Sequence, residues 1–448
     1  MQVAAVVHVW GDRRGSARAE VSSMVEPKSL QFDDGAIAAI RAVLTARGTL
    51  ALRADRRAIH VATHAEEAIR DLLALASEHH ISIRSRSGPL DRRWPFRSDG
   101  EQEPLADDER TIYIDLRPWD GVVEHAVDDF VVRVRAGTAV AKLQERLALH
   151  RQWLPMDPPL AGELTIGEAV SRNEFGPYRT LHGGIREHLI GARFVPMGGG
   201  VTLKTGGMVV KAATGFDLHR LQVGALETLA IGVEFTFRLK PLPDGTRTLD
   251  RTFPSRAEAF SCAMALRERP MAPAALFVAE APQRLPRVVV RYEGPDEAVA
   301  EAAEGAARAL GMTPTASDAT AHWIDAAREE WLRRTGGEKR CAVRITCRPS
   351  QIEKMTHEAA RMLDSLGAQP SCFAHPGVAF ADLWCSAEPD DPREWLQRLR
   401  TQMAASGGGT ARMRWPLDLL SAPQGHLDRR LKEVADPQSL LNPGTVGP

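Results

Sequence analysis

The stretch from Leu154 to Pro243 constrains this chain more than any other. Glycine recurs through it from Gly167 to Gly232, including the run Gly198-Gly199-Gly200, with no collagen-like period. Such density calls for backbone that passes close to something flat or takes positive φ, where a Cβ is costly. Short apolar runs between the glycines (Ala192–Val195, Met208–Val210, Ile231–Phe237) have the length and character of strands, so the stretch is no linker. A glycine-rich β-meander whose turns need glycine and a cradle around a flat ligand both satisfy the pattern.

The chain has 448 residues, which predicts two or three domains at roughly 150 residues each. Hydrophobic residues make up 44% of it, enough for a proper core. A net charge of −1 provides no field for nucleic acid, which is not expected as a partner. Cys262, Cys341, Cys347, Cys372 and Cys385 show no CxxC spacing, so neither a zinc nor an iron–sulfur site is indicated. They are expected as buried thiols in a reducing compartment. The N-terminal apolar run is short and its arginines follow it, unlike a signal peptide. No stretch approaches the ~18 apolar residues of a spanning helix. The expected location is cytoplasmic, with attachment to the inner membrane only through a partner.

Residues 1–50 read as an extension with helical spacing at Ile37, Ile40, Val43 and Leu44. Thr63 and Glu66 have the spacing of a capping box, opening a helix with a buried stripe of Ile69, Leu72, Leu73 and Ala76. A second amphipathic helix, Ala139–His150, is expected to bury Val140, Leu143, Leu147 and Leu149. Beyond Asp244, predicted strands (275–279, 288–292, 342–347, 378–384) alternate with predicted helices (296–310, 320–333, 350–366). That pattern implies an antiparallel sheet covered by helices on one face.

A series of motifs runs through the chain in order: Thr165-Ile166-Gly167, Gly176-Pro177-Tyr178-Arg179, HGGIREHLIG from His182, VVK ending at Lys211, GFDLHRL from Gly215, and FRLKPLP ending at Pro243. Together they resemble the FAD-binding domain of the vanillyl-alcohol-oxidase and p-cresol-methylhydroxylase flavoproteins, and within that group the FAD-binding subunits of bacterial glycolate oxidase. The C-terminal Asp436-Pro437 and Leu441-Asn442-Pro443-Gly444 fit the same pattern. The resemblance implies an α+β fold: a two-part FAD-binding domain over 51–245, a cap with an antiparallel sheet over 246–420, and a return of 421–448 to the FAD domain. It further implies non-covalent FAD, a small hydroxy-acid substrate, and two partner chains, a catalytic flavoprotein subunit and an iron–sulfur subunit.

The resemblance also assigns cofactor contacts. Arg84, Ser85, Arg86, Ser87 and Gly88 stand where relatives cradle the FAD pyrophosphate with glycine amides. Either the hydroxyls and guanidiniums replace those amides, or the loop has drifted from flavin binding. Pro158 and Pro159 end a rigid LP-x-DPP segment beside the cofactor channel. Thr165, Ile166 and Gly167 bring backbone to the flavin, with Glu168 in place of a second glycine. Gly176, Arg179, His182 and Gly183 align with a ring-proximal segment, Lys211 with a conserved-type VVK lysine, and Ile231, Gly232 and Val233 with adenine-side contacts. Two further family glycines are replaced, at Glu227 and Ala230.

Oxidising a 2-hydroxy acid requires a base for the hydroxyl and a cation for the carboxylate. The GDGN-x-H metal motif of catalytic relatives does not occur in the sequence, which favours an accessory subunit over a self-sufficient dehydrogenase. A stand-alone oxidoreductase and a flavin-free subunit that kept the fold are the alternatives. His375 and His182 are the candidate bases, each balanced against a packing role, and His182 also against a covalent flavin link. Arg412 and Arg414 either meet an anion or are solvated.

Overall fold

The computed structural model describes residues 58–86, 111–158, 161–208, 216–311, 341–367, 369–415 and 427–443, with strand residues 51–54 and a few helical residues between 35 and 43. The predicted helix 320–333 lies outside them, as do Ser87, Gly88, Pro159 and Lys211.

The first lobe is a four-stranded sheet ordered β1-β2-β4-β3. Its strands are β1 (Ala51–Ala54), β2 (Ala58–Ala62), β3 (Ser82–Arg86) and β4 (Thr111–Asp115), and all its pairings but β1–β2 are parallel. The helix Glu66–Glu78 covers the sheet with Ile69, Leu72, Leu73 and Ala76, all fully buried as the spacing predicts. Ile40 of the N-terminal extension belongs to the same core.

The capping box does not form. Thr63 Oγ1 accepts from the Ala65 amide, one residue early, and Ala65 is the N-cap with no side-chain bond. The Glu66 carboxylate turns instead to Arg193, at 2.9 and 3.0 Å, and to Thr202, so it ties this helix to the next lobe.

The second lobe is an antiparallel sheet ordered β5-β6-β10-β8-β9. It comprises β5 (Val122–Ala126), β6 (Val131–Arg135), β8 (Leu189–Pro196), β9 (Leu203–Gly206) and β10 (Ala230–Arg238). A short ribbon pairs β7 (Gln152–Trp153) with β11 (Lys240–Pro241). The helix Val140–Ala148 buries Val140, Leu143 and Leu147 against this sheet. Leu149 is 71% exposed, contrary to expectation, because the helix ends at Ala148 and Leu149 leaves its apolar stripe.

The third unit is a seven-stranded antiparallel sheet ordered β12-β14-β13-β16-β17-β15-β18. Its strands are β12 (Gly245–Thr252), β13 (Ala275–Glu280), β14 (Arg287–Gly294), β15 (Cys341–Thr346), β16 (Ser371–His375), β17 (Phe380–Cys385) and β18 (Thr410–Trp415). Helices Arg256–Arg267, Asp296–Leu310, Ile352–Asp364 and Pro392–Ser406 pack one face of it into the largest core. The cysteines are free thiols, and burial raises the pKa of each.

The C-terminal segment closes back on the first lobe. Leu441 bridges Ile83 in parallel, and the Asn442 amide donates to Ile83 O at 2.7 Å. The Asn442 side chain accepts from Ser85 N and donates to Ser85 Oγ, Leu226 O and Glu227 O. Leu226 and Glu227 both lie in the left-handed region, at φ 53° and 52°, a conformation costing about 1–3 kcal/mol per non-glycine residue. Glu227 therefore keeps the backbone shape that suits the family glycine it replaces, with Asn442 satisfying its carbonyl. Lys432, in helix Leu427–Ala435, adds bonds to Thr228 O, Leu441 O and Asp436.

Asn442→Ala would strand two buried carbonyls and release two strained residues. Chemical denaturation should show a loss of about 2–4 kcal/mol, since each stranded buried group costs about 1–3 kcal/mol. Unchanged stability would show that the tail is not the latch.

Candidate functional site

Helix Ile166–Arg172 opens on Thr165, whose hydroxyl accepts from Glu168 N, and closes on Asn173 in the left-handed conformation. The chain then crosses the helix-free face of the seven-stranded sheet as residues 173–182. Sequence reasoning passed over the residues that fasten it there.

Glu174 is fully buried. Its carboxylate meets Arg414 of β18 and lies 3.5 Å from Arg172 Nε. Burial alone would raise its pKa, but Arg414, Arg344, Arg172 and Arg412 together hold it down to about 2. Arg344, mid-β15, grips Asp382 of β17 through two parallel bonds of 2.7 and 2.8 Å. Asp382 also lies 3.5 Å from Arg414, and Arg412 donates to Arg172 O at 3.1 Å. The arginines after the glycine run are thus buried in an ionic cluster rather than solvated.

Phe175 sits between cations. Arg179 and Arg344 each place a guanidinium carbon 4.1 Å from its ring centroid, and Phe380 meets it edge-on at 4.8 Å. His375, the last residue of β16, is 2% exposed and stacks on Phe380 at 4.2 Å and 18°. His375 and Arg179 therefore belong to one arginine–aromatic cluster. Within it Arg344 Nη1, buried, has no hydrogen-bond partner among the described residues.

A second polar group lies further along the same crossing. His182 Nδ1 is 3.0 Å from Lys240 Nζ and its Nε2 is 3.3 Å from Glu293 of β14. The lysine donates to Nδ1, which makes Nε2 the protonated nitrogen facing the carboxylate. Trp153 and Tyr178 pack edge-on against the ring. Both His182 nitrogens are engaged by protein groups, which braces the ring between Lys240 and Glu293. Burial, helped by Glu293, raises the Tyr178 pKa, which keeps the phenol protonated.

The other expected contacts fall into two groups. Several serve the protein's own backbone. Ile166 N donates to Thr138 O and Gly167 N to Ala136 O, both at 2.8 Å, so these amides are not offered to a ligand. Ile231 and Val233 are core side chains, and Val233 O accepts from Ala136 N and Trp119 Nε1. A Cβ on Gly232 would meet the Phe235 ring at 2.4 Å. At Gly176 a Cβ would lie 2.0 Å from Asp157 O, while the Asp157 carboxylate accepts from Tyr178 N. That close approach explains the LP-x-DPP segment, whose Pro158 is buried. Gly183, at φ +80°, ends the turn carrying His182.

The second group suits a cofactor. Arg84, at the centre of β3, and Ser85, next to its last residue, pair with parallel β4, and ligands of open parallel sheets bind beyond the carboxyl ends of such strands. Both are buried. Ser85 Oγ accepts from Asn442, which leaves its O–H to donate. A buried guanidinium and a hydroxyl donor fit a pyrophosphate.

Residues 58–206 match the family model of the FAD binding domain. The chain carries an FAD-binding domain of the p-cresol-methylhydroxylase type. The glycolate oxidase subunit GlcE of Escherichia coli is 33% identical over 139 residues, covering 31% of this chain and 39% of that protein. The mitochondrial D-lactate dehydrogenase (cytochrome) of Arabidopsis thaliana is 22% identical over 75% of this chain and 65% of that protein. The chain thus spans less than two thirds of the length of either relative. Among solved structures, a xylooligosaccharide oxidase of Myceliophthora thermophila superposes with TM-score 0.63 at 13% identity, covering 91% of this chain and 98% of that one. An alkyldihydroxyacetonephosphate synthase superposes at 0.62 and 17% identity, covering 86% of this chain and 77% of that one. The seven-stranded unit follows the matched residues 58–206 in the chain.

The arginine cluster was missed, although a signal existed. Arg344 and Asp382 interrupt otherwise apolar strands, CAVRIT and FADLWC, where a charge must be paired or functional. Glu174→Gln should cost roughly 3–5 kcal/mol, as for breaking a buried ion pair. The Glu174 pKa lies below its ordinary 4.5, so its contribution is complete above that value and disappears as pH falls towards about 2. Acid denaturation of Glu174→Gln should therefore be shallower than wild type over that window; identical profiles would remove Glu174 as the keystone.

Proposed function

We propose that the chain is an FAD-dependent oxidoreductase subunit acting on a small 2-hydroxy acid. The observation carrying this reading is the buried Arg344 Nη1 without a partner among the described residues, in a cluster where Arg172, Arg344, Arg412 and Arg414 face Glu174, Asp382 and Glu168. An anionic carboxylate is the group this arrangement lacks. The names of relatives support it, glycolate oxidase subunits and D-lactate and D-2-hydroxyglutarate dehydrogenases. FAD, when bound, accepts the hydride from the carbon bearing the hydroxyl.

Arg84 and Ser85 would hold the FAD pyrophosphate, non-covalently, since both His182 nitrogens are engaged. Arg344 would bind the substrate carboxylate, with Phe175 and Phe380 excluding water around it. We assign His375 to take the hydroxyl proton on a ring nitrogen, its plane fixed by Phe380. The two relatives named as glycolate oxidase subunits support an assembly with a second, catalytic flavoprotein subunit. An iron–sulfur subunit to carry electrons away is part of the same proposal.

A flavin-free scaffold is the second reading. It is favoured by Glu168, a carboxylate 4% exposed where relatives place glycine beside the flavin. An absorbance spectrum before and after acid precipitation separates the two. Flavin bands that leave with the supernatant support the first reading; a protein that stays colourless after incubation with FAD supports the scaffold. If flavin is present, Arg344→Lys should raise KM for the hydroxy acid about 10-fold, the loss of one charge-assisted contact from Nη1. His375→Asn should lower kcat with the flavin spectrum unchanged. Wild-type kinetics in both variants would remove this cluster from the substrate site.

A further inference from the structure

The helix-free face of the seven-stranded sheet carries a recess, and among the described residues its lining contains none from the FAD domain. Its volume is 630 Å³, within the range of about 300–1,000 Å³ typical of small-molecule sites. Its lining comes from β12, β13, β14, β16, β17 and the turn between β13 and β14.

The floor is aromatic. Phe373 and Trp384, on neighbouring strands, stack with ring centroids 4.8 Å apart and planes 14° from parallel. They are the outer members of a small apolar cluster with Phe277, Ala279, Val289 and Ala342, separate from the cores beneath the helices. Leu285, 59% exposed, overhangs this floor from the turn. An exposed leucine above a rigid aromatic pair leaves apolar surface in water that a flat ring would cover.

The rim is charged, and its charges do not balance. Arg287 is held by Asp250 at 2.9 Å and Glu280 by Arg256 at 2.8 Å. Arg284, on the same rim, forms no ion pair among the described residues. A single guanidinium fork therefore stands over the aromatic floor, suited to a carboxylate or sulfonate.

We propose that this recess binds a planar aromatic anion, its ring between Leu285 and the Phe373–Trp384 pair and its anionic group on Arg284. A neutral ring would use the floor and leave the guanidinium; a non-aromatic acid would do the reverse. Each should bind more weakly than a compound offering both. The site does not depend on flavin or on the hydroxy-acid reading.

The full chain titrated with 2-naphthoate, read by isothermal calorimetry and tryptophan fluorescence, tests the proposal. Saturable one-to-one binding is expected, at least about tenfold tighter than 2-naphthalenemethanol, which lacks the charge, or cyclohexanecarboxylate, which lacks the flat ring. Arg284→Glu and Leu285→Gln change exposed side chains and should leave the melting temperature unchanged while weakening 2-naphthoate about tenfold or more. Trp384→Phe should keep binding but lose the fluorescence response, and Arg308→Glu, on a helix behind the sheet, should change nothing. Binding that is absent, indifferent to Arg284→Glu, or equal for cyclohexanecarboxylate would overturn the proposal.

Discussion

The contact on which the arrangement of FAD domain and cap depends is one carboxylate with no access to water. Glu174 is ionised because four guanidiniums surround it, and those come from both units: Arg172 from the helix of the second lobe, Arg344, Arg412 and Arg414 from the cap sheet. A buried pair of this kind adds little net stability over an apolar replacement, yet breaking it is expensive. Its effect is to fix register. With Glu174 seated, Phe175 must fall between Arg179 and Arg344, and Gly176 must pass under Asp157. Tyr178 and His182 then arrive opposite Arg291 and Glu293. Arg344 and His375, to which we assign the substrate contacts, stand on the strands β15 and β16 that this crossing packs against.

The opposite edge of the FAD domain is fixed in a similar manner, by side-chain amide and ammonium groups instead of guanidiniums. Asn442 and Lys432 satisfy the carbonyls of residues 226–228, of which Leu226 and Glu227 are held in a shape glycine would adopt without strain. Glycine's freedom has been exchanged for hydrogen bonds from a segment more than two hundred residues away in sequence. Such an exchange costs local strain and is stable only while the tail is docked.

This explains which features could be read from the sequence. Elements whose evidence is local emerged well: the stripe Ile69, Leu72, Leu73 and Ala76, the four strands predicted beyond Asp244, and the helix Asp296–Leu310 lie within two residues of their predicted positions. Leu149 and the Thr63–Glu66 box failed because the deciding partner or helix end lay outside the window that suggested them; Glu66 had an arginine 127 residues away. The site was less legible still. His182 beside a glycine turn reads alike whether it meets flavin, solvent or Glu293, and Glu293 is 111 residues distant. Arg414 and Glu174 are separated by 240 residues, and a solvated arginine has the same letters as a buried one.

The replaced glycines have a physical meaning that motif comparison alone obscures. Ile166 and Gly167 spend their amides on Thr138 and Ala136, and Gly176 and Gly232 are small because Asp157 and Phe235 press on them. In this chain the glycine pattern around these positions is therefore a requirement of backbone packing. Losing glycine at Glu168, Glu227 and Ala230 tests whether the fold finds compensating bonds, and at Glu227 it has. The fold can persist through such changes whether or not a cofactor is held. The groups we assign to the cofactor are a different set, the guanidinium and hydroxyl of Arg84 and Ser85 in β3. Ser85 is tied by Asn442 to the same latch that relieves Glu227. Docking of the tail thus links fold stability to the geometry of β3 at Ser85: a loosened tail would disturb Ser85 before it disturbed the sheets.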